Sequence, residues 1–265
     1  MARQYSGTAG RVENCQVGVF LAHATANQHL LIDRELYIPQ EWFKDRARCV
    51  KAGIPESVVF KTKPQLAQDM LEGAFKHGIN PAYVVGDQVY GGAGLRTFLE
   101  QKQCGYVVGI ASNYQVYIDT TPYKVNELCV REDTWHQLSA GKGSKGGRYY
   151  EWQLIEINGI NADGWGHWVL FRRNIKNSDK VSYYIVYARR GSSIEELAKV
   201  AGSRWIIETS FATSKGEVGL DHYQVRSCIG WYRHITLCLV SLLFLEGMRK
   251  EFVEIEQEKK GRNQA

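Results

Sequence analysis

Short apolar runs alternate with amphipathic segments through the first 111 residues of the chain. Residues 15–22 (CQVGVFLA) and 29–38 (HLLIDRELYI) are rich in Val, Leu and Ile, which predicts two neighbouring strands. A charged helical pattern follows over residues 42–53. Residues 63–78 place apolar side chains on one face and end at a glycine, which predicts an amphipathic helix.

The next segments continue this alternation. Residues 82–92 (AYVVGDQVYGG) form an apolar run that enters a glycine turn, which predicts a buried strand. Residues 94–103 (GLRTFLEQKQ) predict a helix, and residues 105–111 (GYVVGIA) predict another strand. Strands that alternate with helices in this way indicate an α/β fold with some parallel strand pairing.

The middle of the chain has a different pattern. Residues 112–187 are rich in Tyr, Trp, Val and Ile between Gly, Asn and Asp, which predicts an antiparallel β-rich insertion in the α/β frame. From Ser193 onwards the pattern is helical again, and it ends in a charged tail. The most apolar run, residues 235–245 (ITLCLVSLLFL), is far shorter than a membrane span and predicts a buried helix.

Composition and charge change this picture little. The chain of 265 residues has a formal net charge of +5, which mildly favours anionic partners but does not identify nucleic acid. Its six cysteines include no Cys-x-x-Cys pair, which argues against a structural zinc site and favours reduced thiols. The first residues contain no apolar signal-peptide region. We therefore expect a soluble cytoplasmic protein with no membrane contact.

Two acidic residues are candidates for chemistry. Glu208 lies four residues after Arg204 and seven before Lys215, which places all three on one stripe of a helix. This stripe is either a surface salt bridge with a solvated lysine, or a metal-binding carboxylate between two phosphate-binding cations. Asp87 follows a predicted strand, where α/β proteins bind ligands, although an aspartate that starts a turn is the commoner case. Paired carboxylates from separate elements suit Mg²⁺ or Mn²⁺.

Six segments of the chain resemble successive motifs of bacterial insertion-sequence transposases of the DDE type. They are ARQYSGTAGRVENCQVGVFLA, LIDRELYIP, VVGDQVYG, GKGSKGGRYYEW, RWIIETSFATSKGEVGLDHYQVRS and GWYRHITL. The spacing from Arg204 through Glu208 to Lys215 matches the R-x3-E-x6-K signature of a broad group of these enzymes. In the fuller signature a tyrosine stands three residues before the arginine, where this chain has Ala201.

The resemblance implies an RNase H-like core with an inserted antiparallel β-rich subdomain. In this interpretation residues 1–111 are the N-terminal part of the core, without its first strand, and residues 112–187 are the insertion. Residues 188–250 are the C-terminal helical part of the core, and residues 251–265 are a charged tail.

The resemblance also implies the role of each site residue. Asp87 and Glu208 are then the second and third catalytic carboxylates and ligate the two Mg²⁺ (or Mn²⁺) ions of the complete enzyme, while Arg204 and Lys215 hold the transposon end. The first aspartate of the family precedes the ARQYSGTAG motif, and no aspartate precedes Asp33 here. Asp33 lies in the motif of a later strand and is no substitute. We therefore expect an N-terminally truncated product that is inactive by itself.

The remaining signals are weaker. Residues 141–148 (GKGSKGGR) form either a flexible hairpin tip or a phosphate contact through Lys142, Lys145 and Arg148. One of four tryptophans in the insertion is a candidate to stack on a flipped base, although most are expected to pack: Trp135, Trp152, Trp165 and Trp168. Glu217, the nearest rival of Glu208, is nine residues on and points to the opposite side of the helix.

The function implied is metal-dependent cleavage of DNA at transposon ends, followed by strand transfer to a target. The expected partners are double-stranded DNA and a second copy of the chain in a homodimer on DNA, at the nucleoid. Two alternatives stay open: a catalytically inactive DNA-binding remnant of a transposase, and an RNase H-like nuclease with another role.

Overall fold

The computed structural model divides the chain into two units. It describes residues 2–7, 9–25, 28–128, 134–143, 146–160 and 163–262, without the side chains of 142, 143, 158–160 and 253–262. Unit 1 comprises Met1–Leu71 and Ile206–Ala265, and unit 2 comprises Glu72–Trp205. Lys145, a predicted phosphate contact, lies outside the described residues, as does the side chain of Lys142.

The described elements alternate between strands and helices in the first half, as the sequence predicts. In chain order they are β1 (Ala2–Ser6), β2 (Arg11–Cys15), β3 (Val17–Ala24), β4 (His29–Tyr37), α1 (Arg46–Lys51), α2 (Lys63–Lys76), β5 (Tyr83–Gly86), α3 (Ala93–Gln101), β6 (Gly105–Ile110), β7 (Gln115–Ile118), β8 (Thr121–Lys124), α4 (Val125–Leu128), β9 (His136–Gly143), β10 (Gly146–Ile160), β11 (Trp165–Asn174), β12 (Asn177–Arg189), α5 (Ile194–Ser203), α6 (Trp205–Val218) and α7 (Cys228–Arg262). Short 3₁₀ helices occupy Gln40–Lys44 and Gln88–Tyr90.

Unit 1 is built from two antiparallel hairpins and helices. Strand β1 pairs with β2, and β3 pairs with β4. The buried apolar residues of its core are Leu31, Leu36, Trp42, Cys49, Ile54, Leu220, Cys228, Trp231, Ile235 and Cys238. Helix α7 is tied to β4 by hydrogen bonds, since the Tyr232 hydroxyl donates to Glu35 Oε2 at 2.7 Å and accepts from Leu36 N at 3.3 Å. These contacts fix one face of α7 on the hairpin.

The opposite face of α7 corrects one prediction from the sequence. The run at residues 235–245 is buried only at every third or fourth position, while Leu237 and Phe244 are 67% and 66% exposed. Its helix is also longer than the apolar run, and the stretch Cys228–Phe252 is long and apolar enough to cross a membrane by length and composition. One such helix is weak support for a membrane span, because core helices pass the same test. The prediction of a buried helix therefore holds for one face of α7 and is wrong for the other.

Unit 2 contains one six-stranded mixed sheet in the order β5-β6-β12-β11-β10-β9. Strands β5 and β6 are parallel and are connected through α3, which confirms the predicted parallel pairing. All other neighbours in this sheet are antiparallel. Helix α5 packs on the sheet, and it approaches β9 so closely that a Cβ on Gly202 would stand 2.1 Å from the carbonyl oxygen of Ala140.

The mixed α/β class is confirmed by these elements. The predicted β-rich middle is also present, and its strands β9–β12 share one sheet with β5 and β6. The RNase H-like topology and the four domain boundaries drawn from the resemblance stay predictions.

Candidate functional site

Asp87 stands at the carboxyl end of β5 and begins a turn. Its Oδ1 accepts a hydrogen bond from Val89 N at 2.9 Å, which caps the 3₁₀ helix Gln88–Tyr90. The side chain is exposed, and Oδ2 has no hydrogen-bond partner among the described residues. Both interpretations of this aspartate are therefore compatible with its position, since one oxygen holds the turn and the other faces outward for a ligand.

Two glycines hold this turn against β6. A Cβ on Gly109 would stand 2.9 Å from Gln88 N and 3.2 Å from the carbonyl carbon of Asp87. A Cβ on Gly91 would stand 2.3 Å from the carbonyl oxygen of Gly109. Real Cβ atoms do not approach backbone this closely, so only glycine allows the two segments to touch. The sequence shows a glycine pair after Tyr90 and a glycine within β6, but it does not show which backbone atoms these glycines contact.

Tyr90 packs under the same turn. A Cβ on Gly86 would be 3.1 Å from Cβ of Tyr90, so the tyrosine lies directly against the end of β5. Burial, and then the negative charge of Asp87, raise the pKa of Tyr90 to about 12. Tyr90 therefore remains protonated at neutral pH and adds no charge beside the carboxylate.

A polar cluster that sequence reasoning missed connects α3, β6 and β11. The Oε1 of Glu100 accepts a hydrogen bond from the Tyr106 hydroxyl at 2.7 Å and lies 3.1 Å from His167 Nε2. Burial opposes ionisation of Glu100, but these two hydrogen bonds outweigh it and lower its pKa below the ordinary value. Tyr187 stacks on Tyr106 with ring centroids 5.6 Å apart, and the His167 ring contacts Tyr187 in a tilted arrangement at 5.0 Å. The cluster anchors α3, the helix that follows the Asp87 turn.

Glu208 and Lys215 are half-buried and lie on α6. Ser210 and Ser214 mark the buried side, and their hydroxyls donate to carbonyls of their own helix. At 100° per residue, Ser210 and Ser214 are about 160° and about 120° around the helix from Glu208, whereas Lys215 is offset by only about 20°. Glu217 is exposed. The predicted shared stripe is therefore present for the glutamate and the lysine.

Arg204 precedes α6 and is not within it. Its φ of −51° and ψ of −31° are helical, so the chain turns directly from α5 into α6 at this residue. Arg204 belongs to unit 2, whereas Glu208 and Lys215 belong to unit 1. Asp87 also belongs to unit 2. The convergence of Asp87 and Glu208 on one metal site stays a prediction.

The oxygen donors of the candidate residues determine which metal ion they could hold. Carboxylate oxygens of Asp87 and Glu208 are the type that Mg²⁺ and Mn²⁺ prefer. Within the described part of the chain, however, no group of three or more His, Cys, Asp or Glu side chains is placed to hold an ion. The donor type fits such an ion, and Asp87 and Glu208 would supply two of the carboxylates that the two-ion site implied by the resemblance needs.

Arg148 has a structural position in unit 2. Its Nη2 donates to the carbonyl oxygens of Ala140 at 2.7 Å and Gly202 at 3.0 Å, and its guanidinium lies 5.8 Å from the Trp205 ring centroid. The side chain therefore ties β9 and β10 to the end of α5. This use of the guanidinium weighs against the predicted phosphate contact, although the contact itself is untested.

The four tryptophans of the predicted insertion mostly pack, as expected. Trp152 and Trp165 are buried, and Trp165 stacks on Tyr187 with centroids 4.6 Å apart. The guanidinium of Arg173 lies 4.3 Å from the ring centroid of Trp135. Trp168 packs at the edge of the unit 2 core. The described contacts assign none of them to base stacking.

Comparison with known proteins gives one family match, which covers the first part of the chain. No curated protein matches the chain. The family described as DDE superfamily endonuclease matches residues 1–152, which include β5, the Asp87 turn and β6. Because this match covers more than half of the 265 residues, the chain belongs to the DDE superfamily endonucleases.

Proposed function

We propose that the chain is a DDE transposase polypeptide that cleaves and transfers DNA strands at transposon ends. The family match over residues 1–152 carries this proposal, because DDE superfamily endonucleases are nucleases of the transposase type and act on DNA. The motif resemblance extends the likeness beyond that match, to Glu208 and Lys215. Double-stranded DNA is then the main partner, and a homodimer on DNA at the nucleoid stays a prediction.

In this proposal Asp87 and Glu208 are the carboxylates of the reaction. The Asp87 turn supports this role, because Val89 N–H and the close approach of Gly109 hold the side chain in one place while Oδ2 stays open. DDE endonucleases generally use divalent metal ions, which supply charge stabilisation at the reacting phosphate. Lys215, on the same side of α6 as Glu208, neutralises phosphate charge, and Arg204 does so from the residue before α6.

The donor count adds one part to the proposal. A two-ion site needs several converging carboxylates, and Asp87 and Glu208 are two. We therefore expect the chain by itself to bind Mn²⁺ weakly and to cut DNA slowly or not at all.

The test compares three isosteric variants: Asp87→Asn, Glu208→Gln and the control Glu217→Gln. Asparagine still accepts the Val89 N–H bond, so Asp87→Asn removes charge without removing the turn cap. Mn²⁺ binding is measured by electron paramagnetic resonance in the presence of duplex DNA, and strand cleavage is measured alongside. Binding should weaken in the first two variants and remain in the control.

Equal Mn²⁺ binding by all four proteins would contradict the assignment of Asp87 and Glu208, whatever the cleavage rate. An equal loss of Mn²⁺ binding in all three variants would show a general effect of charge and would also contradict this assignment.

A catalytically inactive DNA-binding remnant is the second candidate function, and the lack of a three-ligand group among the described residues favours it. The remnant binds duplex DNA with the same affinity in all three variants, with or without Mn²⁺, and does not cut it. Measurable Mn²⁺-dependent cleavage that is lost in Glu208→Gln excludes the remnant.

A further inference from the structure

Unit 1 contains a basic cleft that plays no part in the site described above. Its volume is about 670 Å³, which lies in the range of roughly 300–1,000 Å³ for clefts that hold whole small molecules. The cleft is therefore large enough for more than one phosphate group. The residues that line it are Ala2, Arg3, Asn14, Trp42, Arg48, Lys51, Ala52 and Arg226.

Four of these eight side chains are cationic, and none is acidic. Arg3, Lys51 and Arg226 are exposed and form no ion pair with another described residue. Of the acidic residues nearby in sequence, Glu13 pairs with Arg11 at 3.4 Å, and Asp45 Oδ1 caps α1 by accepting from Arg48 N at 3.0 Å. The three exposed cations produce a positive potential that attracts an anion.

The cleft has a rigid frame. Arg3 lies on β1 opposite Asn14 on β2, and Lys51 ends α1. The segment that carries Arg226 is joined to the end of α1, because Cys228 N donates to the carbonyl oxygen of Ala52 at 2.8 Å. The cations therefore come from three separate parts of the chain that pack into one unit. They are not consecutive charged residues of a single exposed segment.

The single aromatic residue of the lining is not available for base stacking. Trp42 is only 9% exposed, and the guanidinium of Arg48 lies 3.9 Å from its ring centroid. Sites for single-stranded nucleic acid use exposed aromatic rings as platforms for bases. A surface that offers cations and an amide without such a ring matches the backbone of a duplex instead.

We propose that this basic cleft binds the phosphate backbone of double-stranded DNA through Arg3, Lys51, Arg226 and Arg48, independently of base sequence. The inference rests on the proposed function, since a DDE endonuclease must hold a duplex, and it assigns part of that task to a surface whose lining includes neither Asp87 nor Glu208. Asn14 supplies an amide donor to the same backbone.

The test is a pair of double variants that change net charge equally. The cleft variant is Lys51→Gln with Arg226→Gln, and the control is Lys44→Gln with Arg233→Gln, which replaces an exposed lysine and arginine of unit 1 outside the cleft. Binding to a short duplex is followed by fluorescence anisotropy in EDTA, over about 50 to 200 mM salt. A third variant, Lys51→Arg with Arg226→Lys, keeps the charges and reports on folding.

The expected result follows from counterion release. Each phosphate contact contributes about 0.9 to the magnitude of the slope of log affinity against log salt concentration. The cleft variant lacks two cations, so the magnitude of its slope should be smaller by about 1.8. If the proteins bind equally at about 1 M salt, that slope change corresponds to about 60-fold weaker binding at about 0.1 M. The control and the charge-conserving variant should stay within about threefold of the unmodified chain, and two unrelated duplex sequences should bind alike.

Unchanged binding by the cleft variant overturns the proposal, as does an equal loss in the control variant. Failure of the unmodified chain to bind duplex DNA at any salt concentration also overturns it. Because the assay contains EDTA, it is independent of cleavage. If the Mn²⁺ and cleavage tests fail but the cleft variant binds DNA more weakly with a smaller salt dependence, only the catalytic proposal is rejected. If those tests succeed but the cleft variant binds DNA as the unmodified chain does, only the cleft proposal is rejected.

Discussion

Replacement of Gly109 by alanine tests whether β6 holds the Asp87 turn in place. The added Cβ would stand 2.9 Å from Gln88 N and 3.2 Å from the carbonyl carbon of Asp87. Both neighbours are backbone atoms, which cannot rotate away as the end of a side chain can. Alanine is therefore accommodated only if the turn or the strand moves.

The expected loss of stability follows from two opposing effects. Overpacking of a well-packed site typically costs about 1–3 kcal/mol. Alanine recovers roughly 0.5–1 kcal/mol relative to glycine in a strand, because it restricts the unfolded chain. The free energy of unfolding should therefore fall by about 1–2 kcal/mol. At roughly 2–4 °C per kcal/mol for a chain of this size, Tm should decrease by about 2–8 °C.

The assay combines thermal denaturation with a local probe. The Val89 amide donates to Asp87 Oδ1, so its hydrogen exchange reports on the turn itself and should become faster in Gly109→Ala. Gly94→Ala is the matched control, because no atom lies within 4 Å of the Cβ position and the residue is in helix α3. This control should gain up to about 1 kcal/mol of stability.

The reasoning is refuted if Gly109→Ala is as stable as the unmodified chain and the Val89 amide exchanges at an unchanged rate. It is also refuted if the two alanine variants lose stability to the same extent, since that would remove the distinction between a crowded and an open glycine.

Three further predictions concern the frame around the candidate residues. Gly202→Ala, whose Cβ would stand 2.1 Å from a backbone oxygen of β9, should lower the free energy of unfolding by about 3 kcal/mol in chemical denaturation, and a neutral effect would contradict the close packing of α5. Tyr232→Phe should cost about 1–3 kcal/mol by the same measurement, because it leaves Glu35 without its 2.7 Å donor; a loss under about 0.5 kcal/mol would count against that bond. Because the pKa of Glu100 is lowered in the fold, its ionised form stabilises the fold at pH values above the ordinary 4.5, and this stabilisation is lost as the pH falls through the lower folded value. The free energy of unfolding, measured between about pH 6 and 3, should therefore depend less on pH in His167→Gln. An identical pH dependence in the two proteins would argue against the Glu100–His167 pair.

Elements with a strong local pattern were predictable from the sequence. The expected strands at residues 15–22 and 29–38 correspond to β3 and β4, displaced by at most two residues. The parallel pair β5 and β6 followed from the helix between them, since parallel neighbours need a crossover. Local periodicity and glycine stops are sufficient for such elements, because both are properties of consecutive residues.

Pairings between distant segments were not predictable. Strand β12 lies against β6, about 75 residues earlier in the chain, and no local pattern specifies that register. Arg148 illustrates the same limit for a side chain. Its glycine-rich, basic surroundings resemble a phosphate-binding loop, yet its guanidinium bonds to carbonyl groups of Ala140 and Gly202.

The candidate site was predictable in part. The position of Asp87 at a strand end followed from the apolar run before it, and the structure places it there. The supporting contact of Gly109 and the basic cleft were not visible, because each depends on residues that are far apart in sequence. For helix α7 the apolar run predicted a buried helix, but only one of its faces is buried and the other is exposed.

We propose above that Asp87 and Glu208 ligate the same divalent ion in this DDE endonuclease. A crystal structure of the chain with duplex DNA and Mn²⁺ tests it most directly, because the anomalous signal of manganese locates the ion without assumptions about the fold. We predict one manganese ion within about 2.2 Å of an oxygen from each carboxylate, next to a DNA phosphate. Manganese bound elsewhere, or two carboxylates with no ion between them, would contradict the account.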